Sequence, residues 1–156
     1  MCGLIKTRLG GGAVKKRSWS QPWWRQKKIY AAVDLRGKPV SLAISFSYVH
    51  DNRGVKPVVR RLRAKAFVAD RAYDSHSLRA WLRTRGMRPV IPSRCNRLSQ
   101  ERINQRLYRQ RYKVEMFLHR LKRWRRVATR FEKRAETHMS IIQVAAIGIQ
   151  HFEDTP

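Results

Sequence analysis

Apolar and polar positions alternate with recognisable periods from Lys28 onward, whereas residues 1 to 25 show none. The run Ile29-Tyr30-Ala31-Ala32-Val33 predicts a strand, Asp34-Leu35-Arg36-Gly37 a turn, and Pro39 to Phe46 a second strand, together a hairpin. Val58, Val59 and Leu62 recur at helical spacing behind a cap at His50-Asp51-Asn52, so a short helix is expected there with Arg60, Arg61 and Arg63 outward. Ala66-Phe67-Val68-Ala69 reads as a short buried strand ending on Asp70. Leu78, Trp81 and Leu82 then form the apolar side of a helix capped by Asp74 or Ser75 and closed by Gly86, with Arg79, Arg83 and Arg85 on its basic side. Arg88 to Pro92 is a proline-bounded strand, and Ser93 to Glu101 a polar loop.

A helix from near Ile103 to about Arg126 follows, then a loop at Ala128-Thr129-Arg130-Phe131 and a last helix over roughly Ala135 to His151. Trp81 and Trp124 fall on apolar helix faces and are expected in the core. The order strand, strand, helix, strand, helix, strand, helix, helix describes an α/β domain with a mixed sheet flanked by helices. Within the long helix, Tyr108, Arg111, Glu115 and Lys122 stand at offsets of 3, 4 and 7 and share an arc of roughly 60° at 100° per residue. Leu107, Val114, Phe117, Leu118 and Leu121 form a stripe centred roughly 100° from Glu115, which puts this carboxylate at the edge of the buried face.

Charge changes the picture most. Lys and Arg number 36 against 10 Asp and Glu, a formal net charge of +26, and so large an excess implies a polyanion partner, foremost nucleic acid. No apolar run approaches the length of a membrane span, and the start of the chain lacks the pattern of a secretory signal, so a cytoplasmic location is expected. Cys2 and Cys95 lie far apart with no Cys-x2-Cys pattern, which predicts two reduced thiols and neither a disulfide framework nor a zinc site.

Two carboxylates have a context suited to divalent cations: Asp70 at a strand end and Glu115 on the helix. Phosphoryl transfer on DNA relies on carboxylate-held cations, usually Mg²⁺, that polarise the attacking and leaving oxygens. Lys122 and Arg111 suit phosphate contacts, and Tyr108 a hydrogen bond or a stacked ring. Each acid also has an ordinary alternative: Asp70 as a turn cap, Glu115 as the partner of Arg111 in an i,i+4 pair worth a few tenths of a kcal/mol. His50 and His119 read as surface or capping residues rather than ligands, and Arg123, Arg125 and Arg126 as a phosphate-tracking face.

Tyr108-x2-Arg111-x3-Glu115-x6-Lys122, followed by Arg126-Val127-Ala128-Thr129-Arg130-Phe131-Glu132-Lys133, resembles the carboxy-terminal acid motif of DDE transposases of bacterial insertion sequences, specifically insertion-sequence family five. Val68 to Asp74 is similar to the segment carrying that family's second catalytic Asp, Pro89 to Arg97 to the connecting strand and loop, and Lys28 to Gly37 to an upstream hairpin. The resemblance covers roughly residues 27 to 151. It implies a ribonuclease H-like fold, incomplete at the N-terminus, with Asp70 and Glu115 as the second and third metal-binding acids. It also implies Mg²⁺ or Mn²⁺ as cofactor, and DNA contacts from Tyr108, Arg111, Lys122, Arg126 and Arg130.

The family's first Asp lies on a strand before the hairpin, and residues 1 to 27 contain no Asp. Asp34, in the hairpin turn, is the nearest substitute. Tryptophan is encoded only by TGG, so a one-nucleotide shift turns Trp23 and Trp24 into glycines and permits Gly-Arg-Ser-Arg-Gly-Gly before the hairpin, similar to the family's segment there. Residues 1 to 26 therefore read as an unstructured basic leader translated out of frame, and residues 27 to 152 as a partial catalytic domain. This chain is expected to bind DNA without cutting it alone, and to associate with itself or with full-length transposase. The rivals are a non-catalytic nucleic-acid-binding protein that competes with the transposase, and a small nuclease using Asp34, Asp70 and Glu115.

Overall fold

A computed structural model of the chain describes residues 2–7, 27–46, 51–97, 99–129 and 134–152. Five strands form one sheet: β1 (Cys2–Thr7), β2 (Lys27–Val33), β3 (Pro39–Phe46), β4 (Ala66–Ala69) and β5 (Arg88–Val90), in the order β3-β2-β1-β4-β5. β1 runs antiparallel to β2 and parallel to β4, while β2–β3 is the antiparallel hairpin and β4–β5 a parallel pair. The sequence predicts no element before Lys28, yet β1 is the central strand. Strand pairing uses backbone groups that any residue supplies, which explains how a segment with no periodic pattern can join a sheet.

Alternation along β2 and β4 sorts side chains to two cores. Ile29, Ala31, Val33, Ala66 and Val68 point to one face; Tyr30, Ala32, Phe67 and Ala69 point to the other. Because both faces are covered, these strands read as continuous apolar runs rather than alternating ones. The first face is covered by α5 (Tyr112–Arg123), α6 (Arg125–Thr129) and α7 (Ala135–Phe152), through Val114, Phe117, Leu121, Val127, Ile142 and Ala145. The second is covered by α2 (Lys56–Arg60), which follows α1 (Asp51–Gly54), and by α3 (His76–Thr84). Helices thus flank a mixed sheet on both sides, as predicted.

The expected continuous helix from Ile103 is broken into α4 (Gln105–Arg109), α5 and α6. Gln110 and Arg111 keep helical angles but end α4's ladder, and Trp124 takes extended angles between α5 and α6. That break also explains why Trp124 is 40% exposed rather than in the core: it sits at a junction, off the apolar stripe. Trp81 is half-buried, and the loop expected at Ala128 gives way to α6, which continues to Thr129. Other local signals appear as read. Asp34 Oδ1 accepts from the amides of Arg36 (2.8 Å) and Lys38 (2.9 Å) in the hairpin turn, where Gly37 takes φ +86°. Ser75 Oγ caps α3 by accepting from the Leu78 amide at 3.1 Å, and Gly86 ends the following turn at φ +70°.

Candidate functional site

β4 delivers Asp70 immediately beyond its last residue. Alternation from Ala66 and Val68 puts position 70 on the face covered by α5. Its backbone is extended, and its carboxylate accepts from the Ala72 amide at 3.0 Å, capping a 3-10 turn at Arg71–Tyr73. Glu115 lies in the first turn of α5 and accepts from Arg111, four residues back, in a partly exposed ion pair. Each acid thus makes the ordinary local contact available to it: the cap for Asp70 and the i,i+4 pair for Glu115.

α4 packs on β4, and α5 on β1 and β2, so the α4–α5 junction crosses the face on which Asp70 lies. The junction is tight: the Arg111 amide donates to the Tyr108 carbonyl at 3.0 Å, and the Arg111 guanidinium lies 5.9 Å from the Tyr108 ring centroid. Tyr108, Arg111 and Glu115 therefore stay neighbours although they do not share one helix. Lys113, also in the first turn, donates to the Leu35 carbonyl and ties α5 to the hairpin tip. Lys122 lies two turns on from Glu115, exposed, beside a concavity lined by Met116, His119, Arg120 and Arg123. Arg126 is exposed on α6, and Arg130 lies outside the described residues, as does His50. His119 is exposed, in keeping with a surface residue. Cys95 is an exposed free thiol.

Asp34 does not join this face. The pairs Leu4–Val33 and Ile5–Ala69 put Asp34 beside Gly3 and Asp70 beside Lys6. Three rows along β1 and one strand on either side of it separate the two acids, roughly 10 Å in each direction. Asp34's carboxylate is moreover engaged by two turn amides. Among the described residues no three Asp, Glu, His or Cys side chains gather as a metal-binding set. Asp70 and Glu115 alone do not supply the oxygen-rich shell that Mg²⁺ requires.

One cluster has no forewarning in the sequence. Arg79, assigned by periodicity to the basic side of α3, is 1% exposed. Its Nε donates to Asp74 Oδ1 (2.9 Å), one Nη to Glu101 Oε2 (2.9 Å) and the other to the Ile91 carbonyl (2.7 Å). Asp74 also accepts from Arg97 and from the Arg94 amide at 2.8 Å. Burial acts to raise the Asp74 pKa, but the Arg94 amide and the Arg79 and Arg97 guanidiniums outweigh it and hold the carboxyl below its ordinary value. Apart from the Asp74–Arg79 pair, five residues apart, the partners come from residues 91 to 101, too distant along the chain for a local pattern to reveal them.

A five-stranded mixed sheet in the order β3-β2-β1-β4-β5, covered by helices on both faces, defines a class of α/β domains. In keeping with it, the chain resembles the catalytic core domain of BIV integrase at a TM-score of 0.57 over 97% of this chain and 84% of that one, with 13% identity. The fold is ribonuclease H-like. The family described as "Transposase DDE domain" matches residues 5–147, and the chain belongs to that family. A Brucella ovis protein assigned to insertion sequence element IS6501 as its transposase is 31% identical over 121 residues, spanning 76% of this chain and 92% of the relative. One from Burkholderia cepacia, assigned likewise to IS402, is 28% identical over 129 residues, 75% of this chain and 59% of the relative. Among the described residues no helix is long and apolar enough to cross a membrane.

Proposed function

We propose that this chain is a DNA-binding transposase domain that is one acid short of the set required for strand cleavage. The observation that carries the reading is the central strand. In the family the first acid precedes the hairpin; β1 holds that place here, its residues Cys2 to Thr7 include no acid, and Lys6 lies in the row of Asp70. Asp70 and Glu115 act as the second and third acids. Tyr108, Arg111, Lys122, Arg126 and Arg130 contact the DNA backbone, with affinity drawn from phosphate neutralisation. Asp70 and Glu115 would hold part of a Mg²⁺ or Mn²⁺ site in an intact enzyme, where the cation would supply charge stabilisation at the phosphate; no cleavage step is assigned to this chain alone.

This chain binds DNA beside a complete transposase in the cytoplasm, as partner or competitor. The biochemical test is nicking of supercoiled DNA in Mg²⁺ or Mn²⁺ by the purified chain, with Glu115→Ala as control. Salt-sensitive binding without nicking is the expected result; nicking abolished by Glu115→Ala establishes an active nuclease instead.

A further inference from the structure

On the sheet face opposite α5, between α1–α2 and α3, lies a groove of about 900 Å³. Its cations are Arg53, Lys56, Arg60, Arg61 and Arg85, all exposed, around the half-buried Trp81. Among the described residues no acidic side chain lines it, and none of these five cations forms an ion pair. Arg85 is shared with an adjoining concavity that adds Arg63 and Lys65, so the positive surface continues as a track.

Two of the cations, Arg85 and Lys56, are held in place against the indole. The Arg85 guanidinium lies 5.3 Å and the Lys56 ammonium 6.0 Å from the Trp81 ring centroid, and Arg85 also donates to the Arg60 carbonyl at 2.8 Å. Lys56 and Arg60 stand at i,i+4 on α2, a like-charge spacing that costs a helix a few tenths of a kcal/mol. A bound polyanion relieves that repulsion. Because cations already cover the indole, Trp81 is not an open platform for an unpaired base, which is the feature single-strand binders rely on. The arrangement suits a row of phosphates of fixed spacing.

We propose that this groove is a second DNA-binding surface, separate from the α4–α6 face, that takes the sugar–phosphate backbone of duplex DNA. The inference rests on the reading of the chain as DNA-binding, and one titration separates the two. A fluorescent duplex of arbitrary sequence is titrated by anisotropy from 50 to 300 mM salt (on the order of the range in which such contacts are sensitive) with the full chain and with Lys56→Gln/Arg60→Gln/Arg61→Gln. Circular dichroism verifies that the variant is folded. With about 0.9 counterion released per phosphate contact, the slope of log K against log salt should fall by about 2 to 3, and affinity more than tenfold near physiological salt. The charge-retaining variant Lys56→Arg/Arg60→Lys/Arg61→Lys should bind as the unaltered chain does. A folded neutral variant with an unaltered slope overturns the groove alone, as does equal loss in the charge-retaining variant or a loss confined to single strands. If the unaltered chain binds no duplex, both the groove and the DNA-binding reading fall.

Discussion

Replacing Arg79 with methionine keeps most of the side-chain volume and removes three charge-assisted hydrogen bonds from a site that is 1% exposed. The Ile91 carbonyl loses its guanidinium donor, and Asp74, whose side chain is 3% exposed, keeps only Arg97 and the Arg94 amide. Removing one member of a buried pair costs about 3–5 kcal/mol. The remaining Arg97 charge puts this case near the lower end, about 3 kcal/mol. For a chain of this size that lowers Tm by about 6–12 °C. Thermal and urea unfolding of Arg79→Met measure it, and a loss under about 1 kcal/mol refutes the claim that the network holds the fold. Asp74→Leu with Arg79→Met should cost less than the sum of the single changes by about 1–3 kcal/mol, since the two side chains act on each other. The pH dependence has a definite sign. Asp74's folded pKa lies below its unfolded value of about 3.8, so its contribution is present above that value and is lost as pH falls through the folded pKa. In Arg79→Met the raising effect of burial is less opposed, and acid unfolding begins at higher pH.

Gly54 offers a purely steric test: a Cβ there would lie 2.3 Å from the Tyr30 ring, which is buried and cannot swing away, so Gly54→Ala should destabilise by about 1–3 kcal/mol in urea unfolding. An unaltered midpoint refutes the close approach of α1 to β2. Ser75→Ala removes the acceptor for the Leu78 amide and should cost about 1 kcal/mol, with Ser75→Asp retaining most of it, as thermal unfolding will reveal. Lys6→Asp puts an acid in the row of Asp70; at Mn²⁺ one hundred times its Kd the variant should gain about 2.7 kcal/mol of stability. Equal Mn²⁺ response in the unaltered chain and the variant refutes the assignment of that row.

The parts of the fold legible in the sequence are those fixed by near neighbours. The hairpin, the Asp70 strand end, the Ser75 cap and the Gly86 stop each depend on a few consecutive residues, and each stands where its local pattern puts it. The long helix was legible as an apolar stripe but not as three pieces, because the extended conformation at Trp124 interrupts the helix without proline or glycine. Arg79 illustrates the same limit. Periodicity assigns a charged side chain to solvent, and its burial rests on Asp74 together with partners brought from Ile91 and Glu101 by the tertiary fold. β1 was illegible because its segment has no apolar period and its pairing is carried by backbone groups.

In so basic a chain the few acids have structural weight beyond their number. Asp70 caps the turn that leads to Asp74; Asp74 binds Arg79, Arg97 and the Arg94 amide; Arg79 in turn binds Glu101, just ahead of α4. This line of contacts joins the end of β4 to the segment that enters the α4–α5 junction, where Glu115 pairs with Arg111. Because the cations outnumber the acids so greatly, those engaged in these contacts leave a large excess on the surface, and the α4–α6 face and the groove around Trp81 are both positive. Screening that excess with salt weakens contacts to phosphate while the buried Asp74–Arg79 pair is screened far less. DNA affinity should accordingly fall with salt well before stability does, a separation expected only if binding and folding draw on different subsets of the same charges.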